Sequence, residues 1–134
     1  KEYYKELTKY RCGLSLNGVA EISNRDLELM ALGIPIIRSL FKNIQSHEPL
    51  IPNVHYIPYD YERECIGVEC TEYPFRHNYA LHANALIDKW EEVKNDYDLL
   101  EFVGINAREW YLRNAKLDVQ SQLFVDLFDI NSLI

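Results

Sequence analysis

The chain reads as an α/β domain with a short parallel sheet and a helical C-terminal tail. Three observations predict this. Short β-branched apolar runs fall in the first half of the chain, a segment of helical periodicity separates the first two of them, and from Tyr79 onward the apolar residues recur only at helical spacing. The resulting order is helix, strand, helix, strand, strand and helical tail, with residues 1–134 as one domain and no internal repeat or low-complexity linker.

Tyr3, Tyr4, Leu7 and Tyr10 share helical spacing, so residues 2–10 read as a helix. Cys12 to Leu16 is a strand-like run, closed by Asn17-Gly18, a pair suited to a turn with positive φ. After a loop, Ser23 is a good N-cap for a helix whose apolar positions are Leu27, Met30 and Ala31. Asp26 and Glu28 stand in its early turns, where the helix dipole favours anions. Gly33 ends that helix, and Ile34-Pro35-Ile36-Ile37 reads as a buried strand with Pro35 at its entrance, where a missing N–H costs least.

Residues 38–53 read as irregular apart from a turn of helix over 39–46, because Pro49 and Pro52 discourage anything longer. Val54 to Ile57 is the third strand, and residues 58–79 show no clean period. The tail carries Leu81, Ala85, Leu86, Trp90 and Val93, then Leu99, Phe102, Val103, Ala107, Trp110 and Tyr111, and finally Leu123, Phe124, Leu127 and Phe128. Breaks are expected at Gly104 and over 114–118. Three strands make a thin sheet, so we expect an exposed edge that could pair with another copy as a homo-oligomer, or with the rest of a larger parent enzyme.

Composition narrows the function. Fourteen Lys+Arg against 21 Asp+Glu leave a formal charge of −7, which repels nucleic acid and anionic lipid. The longest apolar stretches are a few residues, against the ~20 needed to span a bilayer, so no membrane span is expected. Lys1 opens the chain without a signal-peptide layout, and we expect a domain excised from a two-domain protein. Cys12, Cys65 and Cys70 are odd in number and lack metal-site spacing, which fits free thiols in a cytoplasmic protein without a bound metal. His47, His55, His77 and His82 have no orienting partner by spacing and read as packing, capping or surface residues.

The segment from Asn17 to Glu28 carries the chemistry. It is a polar loop that leaves the carboxyl end of a strand and enters a helix, the edge where open α/β sheets bind ligands. Amides near Ser23, Asn24 and Arg25 could seat a diphosphate, with the Arg25 guanidinium as a clamp. Glu28, three residues on, could accept two hydrogen bonds from a ribose diol. Each piece also has a plainer reading: Ser23 as a cap, Arg25 with Glu28 as a solvated ion pair, Asn17-Gly18 as a turn. Tyr56, Tyr59 and Tyr61 alternate near the third strand and would form an aromatic wall.

The run Ser23-Asn24-Arg25-Asp26-Leu27-Glu28-Leu29-Met30-Ala31-Leu32-Gly33-Ile34-Pro35-Ile36-Ile37 resembles the donor-binding signature of GT-B glycosyltransferases, in the form carried by exostosin-like, CgeB-like and group 1 members. Lys9 to Leu16 looks like the strand before the donor loop, and Ile105 to Tyr111 like the helix that closes many such domains. The resemblance implies a partial Rossmann-like domain, the C-terminal half of a glycosyltransferase, which binds a nucleotide-sugar donor for transfer to a glycan or small-molecule acceptor. It implies a ribose-binding Glu28, diphosphate contacts from Ser23, Asn24 and Arg25, and close backbone approach at Asn17 and Gly18. Glu21 would take the sugar-contacting role, although it stands seven residues before Glu28 where many retaining members have eight. Arg25 and Glu21 are thus the expected catalytic pair. No cofactor or metal is required by that arrangement, and an isolated half should be inactive. The alternative is a noncatalytic interaction domain that docks a partner through its aromatic helical tail.

Overall fold

The structure is a computed structural model that describes residues 2–15, 22–41, 46–59 and 79–128. Along the chain run α1 (Glu2–Leu7), β1 (Gly13–Ser15), α2 (Asn24–Leu32), β2 (Ile36–Ser39), β3 (Ile57–Tyr59), α3 (Tyr79–Val93), α4 (Tyr97–Asn114) and α5 (Leu117–Phe128). Among the described residues the strands form one sheet in the order β1-β2-β3, and both pairings are parallel. Gly13 lies opposite Ile36, and Ile37 opposite Ile57. The α/β class with a short parallel sheet therefore holds.

α2 forms where local signals are strongest. Ser23 caps it in an extended conformation (φ −117°, ψ 162°). Gly33 ends it at φ 70°, with its own N–H and that of Ile34 turned back onto the carbonyls of Met30 and Leu29, a Schellman closure that a residue without Cβ adopts cheaply. Pro35 follows the cap, which moves β2 two residues beyond the expected start: the strand occupies 36–39, not 34–37. β3 is likewise 57–59 and not 54–57. The residues before it form a tight turn, in which Asn53 takes φ 59° and donates to the Tyr56 carbonyl (2.7 Å), while the Val54 and His55 amides donate back to Ile51.

Strand alternation divides the core. Ile37 points to a cluster with Ile57, Tyr59, Leu86, Val93, Leu100 and Val103, and its neighbour Ile36 to a second cluster with Leu29, Met30, Ile34, Ala107 and Trp110. α4 contributes its first half to one cluster and its second half to the other. The break expected at Gly104 is absent, because α4 runs through it. A Cβ at that position would collide with the Gly33 carbonyl oxygen, so glycine is there to let two backbones touch. The break expected over 114–118 is found, with Ala115 capping α4 and α5 starting at Leu117. No helix among the described residues is long and apolar enough to cross a membrane.

Candidate functional site

The first turn of α2 closes on itself. Asp26 Oδ2 accepts hydrogen bonds from the Ser23 backbone amide (2.7 Å) and hydroxyl (2.9 Å), while the Ser23 hydroxyl faces the Asp26 amide, a reciprocal capping box with an aspartate at the third position. The same oxygen lies 2.9 Å from the Arg38 guanidinium at the carboxyl end of β2. Asp26 and Arg38 are 1% and 0% exposed, so this is a dry ion pair that fixes the start of α2 to the end of the central strand. Arg38 also donates from Nε to the Ser39 carbonyl (3.0 Å) and lies 3.4 Å over the Phe41 ring. Asp26 Oδ1 and the Ser39 hydroxyl oxygen are buried without a hydrogen-bond partner among the described residues.

That closure alters one expectation. The Ser23 amide is spent on Asp26 and is not a donor for a bound anion. The amides of Asn24 and Arg25 are not spent in the capping box, and both side chains are exposed. The Arg25 side chain makes no hydrogen bond or ion pair with the described residues, so the solvated Arg25–Glu28 pair considered above does not form. Glu28 is half-buried and turns to α1, where it accepts from the Tyr3 hydroxyl at Oε2 and from the Tyr4 hydroxyl at Oε1, each at 3.3 Å. Asn24, Arg25 and Glu28 thus lie together on the first half of α2, at the carboxyl edge of the sheet. Asn17, Gly18 and Glu21 lie outside the described residues, as do Tyr61, Cys65, Cys70 and His77.

The aromatic wall expected from Tyr56 and Tyr59 is corrected. Both are 1% exposed: Tyr59 is in the first core cluster, and Tyr56 packs edge-on against Phe41 and accepts from its amide at 3.4 Å. Tyr56, just before β3, and Tyr59, its last residue, are three positions apart and both are buried, so neither offers its ring to a ligand.

A second polar cluster holds the segment before β3 against the end of α4. Glu48 receives Arg113 on both carboxylate oxygens (Nε to Oε2 3.1 Å, a terminal nitrogen to Oε1 2.6 Å), and Asn114 adds a bond to Oε2 (2.8 Å). These bonds hold its carboxyl down to about 2. Trp110 Nε1 donates to the Glu48 carbonyl (2.9 Å). Nearby, buried His55 accepts the Ile51 amide at Nδ1 (2.9 Å), which leaves its proton on Nε2, and burial pushes its pKa below the usual value. His55 is therefore a packing and capping residue, as expected of it, and His47 is exposed.

Cys12 is half-buried, and burial pushes its thiol up to about 12, which makes it a packing residue and not a nucleophile. Among the described residues no group of three or more His, Cys, Asp or Glu side chains could hold a metal ion.

Sequence reading missed Arg38, Asp26 as its partner, and the two tyrosines that reach Glu28. One signal was available: an arginine immediately after Ile-Pro-Ile-Ile, in a strand called buried, needs a buried counter-charge. Comparison with protein-family models, with characterised proteins and with solved structures finds no match.

Proposed function

We propose that the chain is the donor-binding part of a GT-B-type glycosyltransferase, in a Rossmann-like arrangement, and that it grips the nucleoside diphosphate portion of a nucleotide sugar at the amino end of α2. The observation that carries this reading is Arg25: an exposed guanidinium with no partner among the described residues, one turn before a carboxylate, at the carboxyl edge of a parallel sheet. An unpaired arginine beside amides not spent in the cap is suited to a diphosphate, which it can hold through two parallel hydrogen bonds. When a glycosyl bond breaks, negative charge grows on the departing diphosphate. Donors that grip it more strongly at that stage lower the barrier. Glu28 would take the ribose diol. Acceptor and catalytic base would come from another part of the enzyme.

The test is the unfolding transition of the chain with UDP, GDP, dTDP or ADP at millimolar concentration. A ligand at 100 times its dissociation constant should add about 2.7 kcal/mol if it binds only the folded state. Arg25→Ala should abolish the increment while leaving the ligand-free transition in place, because the side chain is exposed and has no polar partner among the described residues. No shift with any of the four would favour the rival reading, an interaction domain. That rival has its own support in the apolar side chains exposed along α4 and α5: Phe102, Ile105, Leu112 and Leu117, the last 82% exposed.

A further inference from the structure

Tyr3 and Tyr4 are consecutive residues of α1, and neighbours in a helix ordinarily diverge. Here both hydroxyls converge on one carboxylate, that of Glu28, more than twenty positions along the chain. Their rings stand edge to face, 5.3 Å between centroids at 64°, and are 48% and 46% exposed. Each phenol takes one lone pair of one oxygen. An ionised carboxylate has about four such sites, so roughly two remain, one on each oxygen. That residue of capacity suits two adjacent hydroxyl groups.

The phenol bonds are also slack. At 3.3 Å they exceed the usual 2.5–2.7 Å or so of a hydroxyl on a carboxylate, so they steer Glu28 without saturating it. The nearby negative charge of Glu28 raises the Tyr4 pKa, so the hydroxyl stays protonated and keeps donating.

We propose that Tyr3 and Tyr4 are the nucleoside-reading wall of the α2 site: they orient Glu28 toward a ribose diol and offer a ring to the base attached to that ribose. This rests on the reading of Glu28 and Arg25 given above. It replaces the wall sought at Tyr56 and Tyr59, whose rings are buried. A planar base carries a large apolar face, and a half-exposed phenol ring one helix away from the diol acceptor is the surface within reach of it.

The experiment is calorimetric titration of the full chain with UDP, GDP, dTDP and ADP, and with inorganic pyrophosphate, which has no nucleoside. Four proteins are compared: wild type, Arg25→Ala, the Tyr3→Ala/Tyr4→Ala double variant, and the Tyr3→Phe/Tyr4→Phe double variant. The double alanine variant should bind the preferred nucleoside diphosphate roughly tenfold more weakly or worse, with pyrophosphate affinity unchanged. The double phenylalanine variant, which keeps the rings, should fall between it and wild type. Arg25→Ala should weaken both ligands. Unchanged nucleotide affinity in the double alanine variant, with Arg25→Ala still damaging, overturns the wall and leaves the anion site standing. Equal loss of nucleotide and pyrophosphate in the tyrosine variants also overturns it, as a structural effect. Wild type that binds no nucleoside diphosphate overturns the site and the wall together.

Discussion

Two ion pairs anchor α2 and α4, and they are opposites. Asp26–Arg38 is dry, joins the start of α2 to the end of β2, and leaves Asp26 Oδ1 without a hydrogen-bond partner among the described residues. Glu48–Arg113 is wet: both partners remain partly exposed, and the carboxylate is served by donors from Arg113 and Asn114. Burying two charges costs several kcal/mol each before attraction is counted, and a half-satisfied carboxylate returns little of it. An exposed pair costs little and contributes little. The dry pair is therefore poorly explained as a source of stability and better explained as a device that fixes the relative position of two elements. The elements it fixes are those that border Asn24, Arg25 and Glu28.

The largest expected effect comes from breaking the dry pair on one side. Arg38→Met should lower the unfolding free energy by about 3–5 kcal/mol, because Asp26 is then a buried charge without its counter-ion. Adding Asp26→Asn, which retains an oxygen for the Ser23 cap while removing the charge, should restore much of that loss. Urea unfolding of the single and double variants measures it. If the double variant is as unstable as Arg38→Met alone, the pair is not the reason for the loss.

A smaller effect is expected at the seam between α2 and α4. Gly104→Ala gains about 1 kcal/mol of helix propensity but drives a methyl group into the Gly33 carbonyl, and overpacking costs roughly 1–3 kcal/mol. Gly33 cannot step aside easily, since it is committed to the cap at φ 70°. The clash should win, by about 1 kcal/mol or more in the same urea assay, and a stabilised variant would show that the seam gives way.

The wet corner should be revealed by pH more than by substitution. His55 is shifted down by burial, so the folded state prefers it neutral; its contribution is complete above the ordinary 6.5 and shrinks as pH falls below that. Glu48 is shifted down by Arg113 and Asn114, so its contribution is complete above about 4.5 and is lost as pH falls toward about 2. The urea midpoint should thus decline in two stages on acidification. His55→Asn, which keeps an acceptor for the Ile51 amide but does not titrate, should remove the upper stage only. A wild-type midpoint that is flat from pH 7 to 5 would contradict the assignment of His55.

These outcomes also mark what could be read from sequence. α2 was legible because its signals are local: Ser23 and Gly33 act on the turns beside them. The placement of Arg25 and Glu28 three residues apart on that helix was legible for the same reason, but the ion pair between them was not formed, because Glu28 turns to α1. What failed was non-local. Gly104 looks like a breaker unless one knows that Gly33 lies against it. Tyr56 and Tyr59 look like a cleft lining unless one knows that Phe41 packs on one and the first core cluster encloses the other. The partnership of Asp26 with Arg38, and of Glu28 with α1, spans separate elements that only folding brings together.

α4 has one more consequence. Leu100 and Val103 belong to one apolar nucleus, Ala107 and Trp110 to the other, and no break separates them. A single rigid rod is thus skewered through both, so neither nucleus can loosen without tugging on its twin. α2, whose Leu29 and Met30 pack with the rod's second half, is thereby coupled to the nucleus that the rod's first half serves.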